Sequence, residues 1–276
     1  MTEKTEQRKL WDIQLEILDV IDEVCRENEL HYSLYGGSLL GAVRHQGFIP
    51  WDDDLDVCMS RIDYERFLDL WKDEDHPGYL LQNKRNTPSF TQSFTKIRKD
   101  KTAFLQFEWE RNRYHTGIFV DVFPIDRCPT SFAKSILFRL KCAKYQLFTR
   151  EFIPKEAHLV IRTISRILLL TTSKEARKEY RERFEKELIA MSLKKELPTV
   201  GIETLRTAVH ILPADLFAEY TFLPFENKEY ECFAKWDECL TVQYGDYMQF
   251  PPEKDRVWKH KPICISFEHN YGDAKQ

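Results

Sequence analysis

The sequence predicts a mixed α+β domain, with a mixed sheet flanked by helices and a helical insertion. Strand-like and helical runs succeed one another up to residue 126 without a regular βαβ repeat, which argues against a purely parallel sheet. A glycine turn joins a short strand to a helix between Tyr32 and His45. From Ser131 to Leu193 the chain is helical in pattern and poor in strand formers.

In order along the chain, Leu10, Ile13, Ile17, Val20, Ile21 and Val24 recur at near-helical spacing, so residues 6–28 read as a long amphipathic helix. Tyr32–Tyr35 reads as a strand running into Gly36-Gly37-Ser38, and Leu39–His45 as the helix that follows. A loop with Gly47 and Pro50 leads to a strand over Asp54–Met59, then a helix over Ile62–Trp71. Strands are expected at Tyr79–Leu81, Phe94–Arg98 and Ala103–Phe107, with a fourth at Gly117–Phe123 ending at Pro124. The helical stretch that follows is expected to break at Pro154, and the C-terminal part returns to short elements and loops rich in proline. The domains expected are a catalytic core over 1–130, a basic helical insertion over 131–197, and a part over 198–276 that completes the catalytic domain and substrate site.

With 42% hydrophobic and 31% charged residues, the composition is that of a globular protein. The first residues, MTEKTEQRKL, are too polar for a secretory signal. The longest apolar stretch, Ile161–Leu170, is interrupted by Arg162 and Arg166 and falls short of the about 20 residues a membrane span needs. Seven cysteines without a CxxC pair read as reduced, packed thiols of a cytoplasmic protein, not a zinc site. A pI near 6.1 and the lack of a binding motif disfavour nucleic acid as a partner. No repeats are present of the kind an aromatic choline- or glycan-binding module uses. Charge is uneven: residues 131–186 hold 14 Lys plus Arg against 6 Glu and no Asp, so this segment is basic and the remainder acidic. Such a segment either meets an anionic membrane surface or presents solvated helix faces while packing on the catalytic body.

The run Trp51-Asp52-Asp53-Asp54-Leu55-Asp56-Val57 carries the most chemistry. On a strand, residues i and i+2 share a face, so Asp54 and Asp56 project together, joined by Asp52 if the strand starts early. Adjacent carboxylates repel unless a hard cation neutralises them, and Mg²⁺ suits one or two carboxylates completed by water and phosphate. An acidic surface turn is the alternative. Gly36-Gly37 lets backbone amides approach a phosphate at a helix start, while Ser38 either donates to an oxygen or caps the helix. In Phe119-Val120-Asp121-Val122-Phe123 a single carboxylate interrupts an apolar strand, which suggests a third metal ligand, a proton acceptor, or a buried ion pair.

Three segments, GGSLLGAVRHQGFIPWDDDLDV at 36–57, GIFVDVFPID at 117–126 and YGDYM at 244–248, resemble the LicD/fukutin family of phosphocholine-type transferases. The resemblance spans roughly residues 15–126 and 236–262 and implies a nucleotidyltransferase-like core. Carried over, Gly37 and Ser38 match the family's first motif, Asp54 and Asp56 the paired acids, and Asp121 the later single acid. It implies Mg²⁺, or Mn²⁺ in its place, on Asp54, Asp56 and Asp121, a CDP-choline or related CDP-alcohol donor, and a hydroxyl of a cell-surface glycan precursor of teichoic acid or lipopolysaccharide type as acceptor. A lipid-linked acceptor would bring the protein to the inner face of the cell membrane. Transfer of ribitol or glycerol phosphate, or nucleotidyl transfer from an NTP with pyrophosphate release, are the alternatives. Arg44, Lys96 and Arg98 are candidates to surround a diphosphate. Tyr244 and Tyr247 are candidates for a choline head group, bound over aromatic faces, and Arg256 and His260 could close over substrate or form a surface helix pair.

Overall fold

The computed structural model describes residues 3–151, 153, 158–194, 197–202, 205 and 211–271. Helix α1 (Glu3–Glu27) buries Leu10, Gln14, Ile17, Leu18, Ile21 and Val24 along one stripe, as the 3.6-residue period requires. The chain then forms β1 (Ser33–Leu34), α2 (Gly36–His45), β2 (Asp56–Ser60), α3 (Arg61–Leu70), β3 (Tyr79–Gln82), β4 (Thr95–Lys99), β5 (Ala103–Leu105) and β6 (Phe119–Cys128). Helices α4 (Phe132–Arg150), α5 (Leu159–Thr171) and α6 (Lys174–Ser192) follow, then β7 (Thr199–Ile202), β8 (Leu212–Pro213), β9 (Tyr220–Phe225), β10 (Lys228–Phe233), α7 (Trp236–Tyr244) and β11 (Cys264–Ser266).

Two compact units are present, one of Met1–Pro124 with Asp215–Gln276 and one of Ile125–Ala214. In the first, strands lie in the order β1-β2-β6-β4-β3, with a β9–β10 hairpin and a β5–β11 pair beside this sheet. Its core joins the α1 stripe to Leu55, Val57, Ile97, Val120 and Val122, so apolar neighbours of the acidic positions face inward while the acids do not. In the second unit, Phe138, Cys142 and Tyr145 of α4 pack with Phe184 and Leu188 of α6. There the last residues of β6 pair with β7, and Ser192 donates to Asp126 at 3.0 Å. Six of the seven cysteines are buried, and Cys264 is half-buried.

Most expected elements are present within a few residues of the expected bounds, and three differ in kind. β6 does not end at Pro124 but continues to Cys128, because its pairing with β4 ends at Val122 and that with β7 starts at Ile125. Pro124 falls between the two ladders, where a missing N–H costs neither of them a bond. The helical segment breaks a second time at Thr172-Ser173, where the Ser173 hydroxyl caps α6 by accepting from the Ala176 amide. Pro154 lies outside the described residues.

The third difference shapes the site. β2 begins at Asp56, so Asp52–Asp54 lie in an irregular loop and Asp54 does not share a strand with Asp56. The loop's carbonyls are held by α1 instead of a ladder: Trp11 Nε1 donates to Asp52 O at 3.0 Å and Gln14 Nε2 to Asp53 O at 3.1 Å. Trp11 also stacks on Phe48, with centroids 4.8 Å apart. Trp11→Phe keeps an aromatic ring there and removes the donor; urea unfolding is expected to show a loss of about 1–2 kcal/mol. An unchanged midpoint would mean that this bond does not anchor the loop.

Candidate active site

The α2 start organises the acids. Gly36 has φ +59°, a conformation glycine adopts without strain, and a Cβ on Gly37 would stand 2.4 Å from Asp52 Oδ2. Glycine at 37 therefore admits the Asp52 carboxyl to the first turn of a helix, the end that favours negative charge. Tyr35, not Ser38, is the N-cap residue, which removes the expected capping role from Ser38. The Ser38 hydroxyl accepts from the Asp56 amide at 2.9 Å, and the Tyr35 amide donates to Asp56 O at 2.9 Å. Both backbone polar groups of Asp56 are thus fixed by the glycine turn.

Four carboxyls feel one another here. Burial first, then the charge of Asp54 and a hydrogen bond to it, push Asp52 up to about 8. Burial also raises Asp56 well above the carboxylate range, followed by the charges of Asp54, Asp121 and Asp52. Asp121 lies opposite Lys96 in the β4–β6 register, and Lys96 Nζ donates to its Oδ1 at 2.6 Å. Burial raises Asp121 and lowers Lys96 to about 8, each partly opposed by the other's charge. Lys96 also lies 3.2 Å above the Phe119 ring centroid.

One buried ammonium does not balance four carboxyls, and the Asp52–Asp54 contact is favourable only when a proton or a cation lies between the oxygens. This donor set fits a hard divalent cation, which takes oxygen ligands and tolerates a partial protein shell. Asp54 and Asp56, with Asp52 and Asp121 beside them, are the side chains that would hold one.

Asp53 has a different task. Its buried carboxylate accepts from the His260 amide at 2.9 Å and lies 3.3 Å from His260 Nδ1, while Asp54 Oδ2 is also 3.3 Å from that nitrogen. Among the described residues, Asp53, Asp54 and His260 are the group whose potential ligand atoms meet within 4.8 Å. The Asp53 hydrogen bond raises His260 above its ordinary value, opposed by burial and assisted by the charges of Asp54 and Asp53. Asp53 thereby ties the loop after α7 to the acidic loop.

Arg256 and His260 form no helical pair, because the 3-10 turn ends at Asp255, and they have different partners, the Trp51 and Phe250 rings for Arg256 and the Asp53 carboxylate for His260. Arg256 lies over Trp51 and Phe250, with centroids 5.3 and 5.4 Å away, and Arg44 lies 4.7 Å from the same Phe250 ring. Burial and then the Arg256 charge lower Arg44, which donates to Tyr247 O at 2.9 Å. Two guanidiniums sharing one ring repel, and an anionic oxygen between them relieves that repulsion. Arg98 has its donors engaged by Gln82 Oε1 at 2.7 Å and Gly117 O at 2.6 Å, buried within the sheet. The Tyr244 hydroxyl stands 3.6 Å from the Cβ position of Gly36, close to Asp56, whereas the Tyr247 hydroxyl bonds to Asp237.

A family model described as the LicD/FKTN/FKRP nucleotidyltransferase domain matches residues 29–154. That match covers a little under half of the chain and takes in Asp52, Asp54, Asp56 and Asp121. Across the chain, similarity extends to the lipopolysaccharide cholinephosphotransferase LicD of Haemophilus influenzae, 28% identical over 89% of this chain and 92% of that protein. Uncharacterised proteins of Rickettsia prowazekii and Rickettsia typhi are 29% and 38% identical over 40% and 23% of the chain.

Sequence reading singled out Asp54, Asp56 and Asp121, although Asp54 lies in the loop before β2, but gave no role to Asp53, which acts through a tertiary contact with a residue over 200 positions away. Lys259, whose charge opposes the upward shift of Asp52, was likewise not singled out. The basic and aromatic run Arg256-Val257-Trp258-Lys259-His260-Lys261 was the available signal.

The raised Asp52 group makes metal-free stability depend on pH. Folded, Asp52 keeps its proton to about pH 8; unfolded, it loses it near pH 4, so the folded state binds the extra proton between these values. In EDTA, stability is therefore expected to fall as pH rises from about 5 through 8. Mg²⁺ is expected to raise Tm, and by more at about pH 8 than at about pH 5.5, since cation and proton compete for the same oxygens. An equal Mg²⁺ effect at both pH values would contradict this.

Proposed function

We propose that the protein transfers phosphocholine from CDP-choline to a hydroxyl of a lipopolysaccharide-type glycan and releases CMP. The observation that carries the reading is the convergence of Asp52, Asp54, Asp56 and Asp121 beside the Gly36-Gly37 turn. The similarity to a lipopolysaccharide cholinephosphotransferase over most of both chains supplies the substrate class.

In this reading the acceptor oxygen attacks the choline-bearing phosphorus. That oxygen forms the new P–O bond, the bond to the CMP oxygen breaks, and CMP leaves with the electron pair. A divalent cation held by Asp54 and Asp56 supplies charge neutralisation for the phosphates when bound. Asp121 takes the proton of the attacking hydroxyl, and Lys96 keeps its carboxylate in place. Ser38 positions Asp56 through its backbone amide. Arg44 and Arg256 take phosphate oxygens of the nucleotide portion, and Tyr244 offers an aromatic face to the quaternary ammonium at the edge of the site.

The test is CMP release from CDP-choline with a lipopolysaccharide acceptor, run with Mg²⁺, with EDTA, and with Asp54→Asn and Asp56→Asn. Release is expected to need Mg²⁺ and to fall in both variants by more than the roughly 10–100-fold that follows loss of a residue merely supporting a metal ligand. Consumption of a different CDP-alcohol would keep the site and change the head group. Undiminished release in both variants would remove the acids from the mechanism, and pyrophosphate release from CTP would replace the proposed reaction by nucleotidyl transfer.

A further inference from the structure

Helix α5 is built unlike the other α-helices of the described residues, because it buries none of its side chains. Leu159, Val160, Ile161, Ile164, Ile167 and Leu170 are between 54% and 85% exposed. At 100° per residue they cover a broad arc of the helix, with Ser165, Leu169 and Arg162 on the opposite, half-covered side. α4 of the same unit adds exposed Phe132, Ile136, Leu137 and Leu140, while its Phe138, Cys142, Tyr145 and Phe148 are buried. Apolar surface of this extent on helices is the mark of an interaction face.

Charge identifies the partner. α5 carries Arg162 and Arg166, α4 carries Lys134, Arg139, Lys141, Lys144 and Arg150, and neither helix contains a carboxylate. α6 differs, because its Lys and Arg residues alternate with five Glu residues. An aliphatic face bordered by cations alone complements a bilayer whose headgroups are anionic; a protein partner of mixed surface charge gives no reason to exclude every acid. Length excludes a span. Thirteen residues make a helix about 20 Å long, less than the ~30 Å hydrocarbon thickness, and no helix of the described residues is long and apolar enough to cross a membrane.

We propose that α5 lies in the plane of an anionic membrane surface, its aliphatic arc in the acyl boundary and Arg166, at the edge of that arc, at headgroup level. The exposed apolar residues of α4 add to the same attachment. This inference stands on the helical unit alone and does not depend on the phosphocholine reading, so each can fail without the other. Arg177 holds the end of α5 for this role: it donates to the carbonyls of Leu169 and Thr172 and pairs with Glu151 at 3.3 Å.

The test is flotation of the full chain with vesicles of phosphatidylcholine containing phosphatidylglycerol, compared with pure phosphatidylcholine. The expected result is flotation with the anionic vesicles only, weakened by salt, and at least tenfold lower apparent affinity for Ile164→Glu/Ile167→Glu. Should that double variant lose its circular dichroism, Leu170→Glu, at the most exposed position of the arc, serves instead. Absence of flotation, equal flotation with neutral vesicles, or flotation unaffected by the variants would overturn the proposal. Self-association of the wild type without vesicle binding, abolished by Ile164→Glu/Ile167→Glu, would overturn it in favour of a second copy of the chain.

Discussion

Crowding of the carboxyls of Asp52, Asp54, Asp56 and Asp121 is the constraint on which the rest of the catalytic unit depends. Removing a carboxylate from water is costly, and setting another beside it adds repulsion in the same low-dielectric surroundings. Burial and mutual charge accordingly raise Asp52, Asp56 and Asp121 together. The scaffold resists the repulsion by fixing backbone more than side chains. α1 takes the carbonyls of Asp52 and Asp53, and the α2 turn takes both backbone groups of Asp56.

Lys96 shows how finely the charge is set. It lies opposite Asp121 on the neighbouring strand, over the Phe119 ring, and offsets one carboxylate without neutralising the group. Loss of Lys96 would expose Asp121 to the uncompensated cost of a broken buried pair, about 3–5 kcal/mol. Asp53 contributes from behind: by engaging His260 it holds the segment bearing Arg256 and Lys259 near the acidic loop. Cationic and anionic parts of the site are thereby joined through one buried carboxylate.

Much of this was legible in sequence because it depends on local pattern. Alternation around Asp56 turns Leu55 and Val57 into the core, where both are buried. The glycine turn was read as a place where backbone amides approach a phosphate; the neighbour it has in the structure is the Asp52 carboxyl, which no local pattern indicates. Asp54 was placed on a strand because Asp52, Asp54 and Asp56 have the same parity; the loop geometry comes from Trp11 and Gln14, about forty residues earlier. The role of Asp53, the separation of Arg256 from His260, and the extension of β6 past Pro124 all follow from partners distant in sequence. The apolar run in α5 was visible as composition, but that it stays uncovered is a property of the fold.

The most direct measurement is anomalous diffraction from crystals soaked in Mn²⁺, which locates a cation without relying on turnover. An anomalous peak within roughly 2.0–2.3 Å of carboxylate oxygens from both Asp54 and Asp56 is the predicted result. A peak confined to Asp53 and His260, or none near the acids at saturating Mn²⁺, would contradict the claim that carboxylate crowding beside the glycine turn exists to hold a metal.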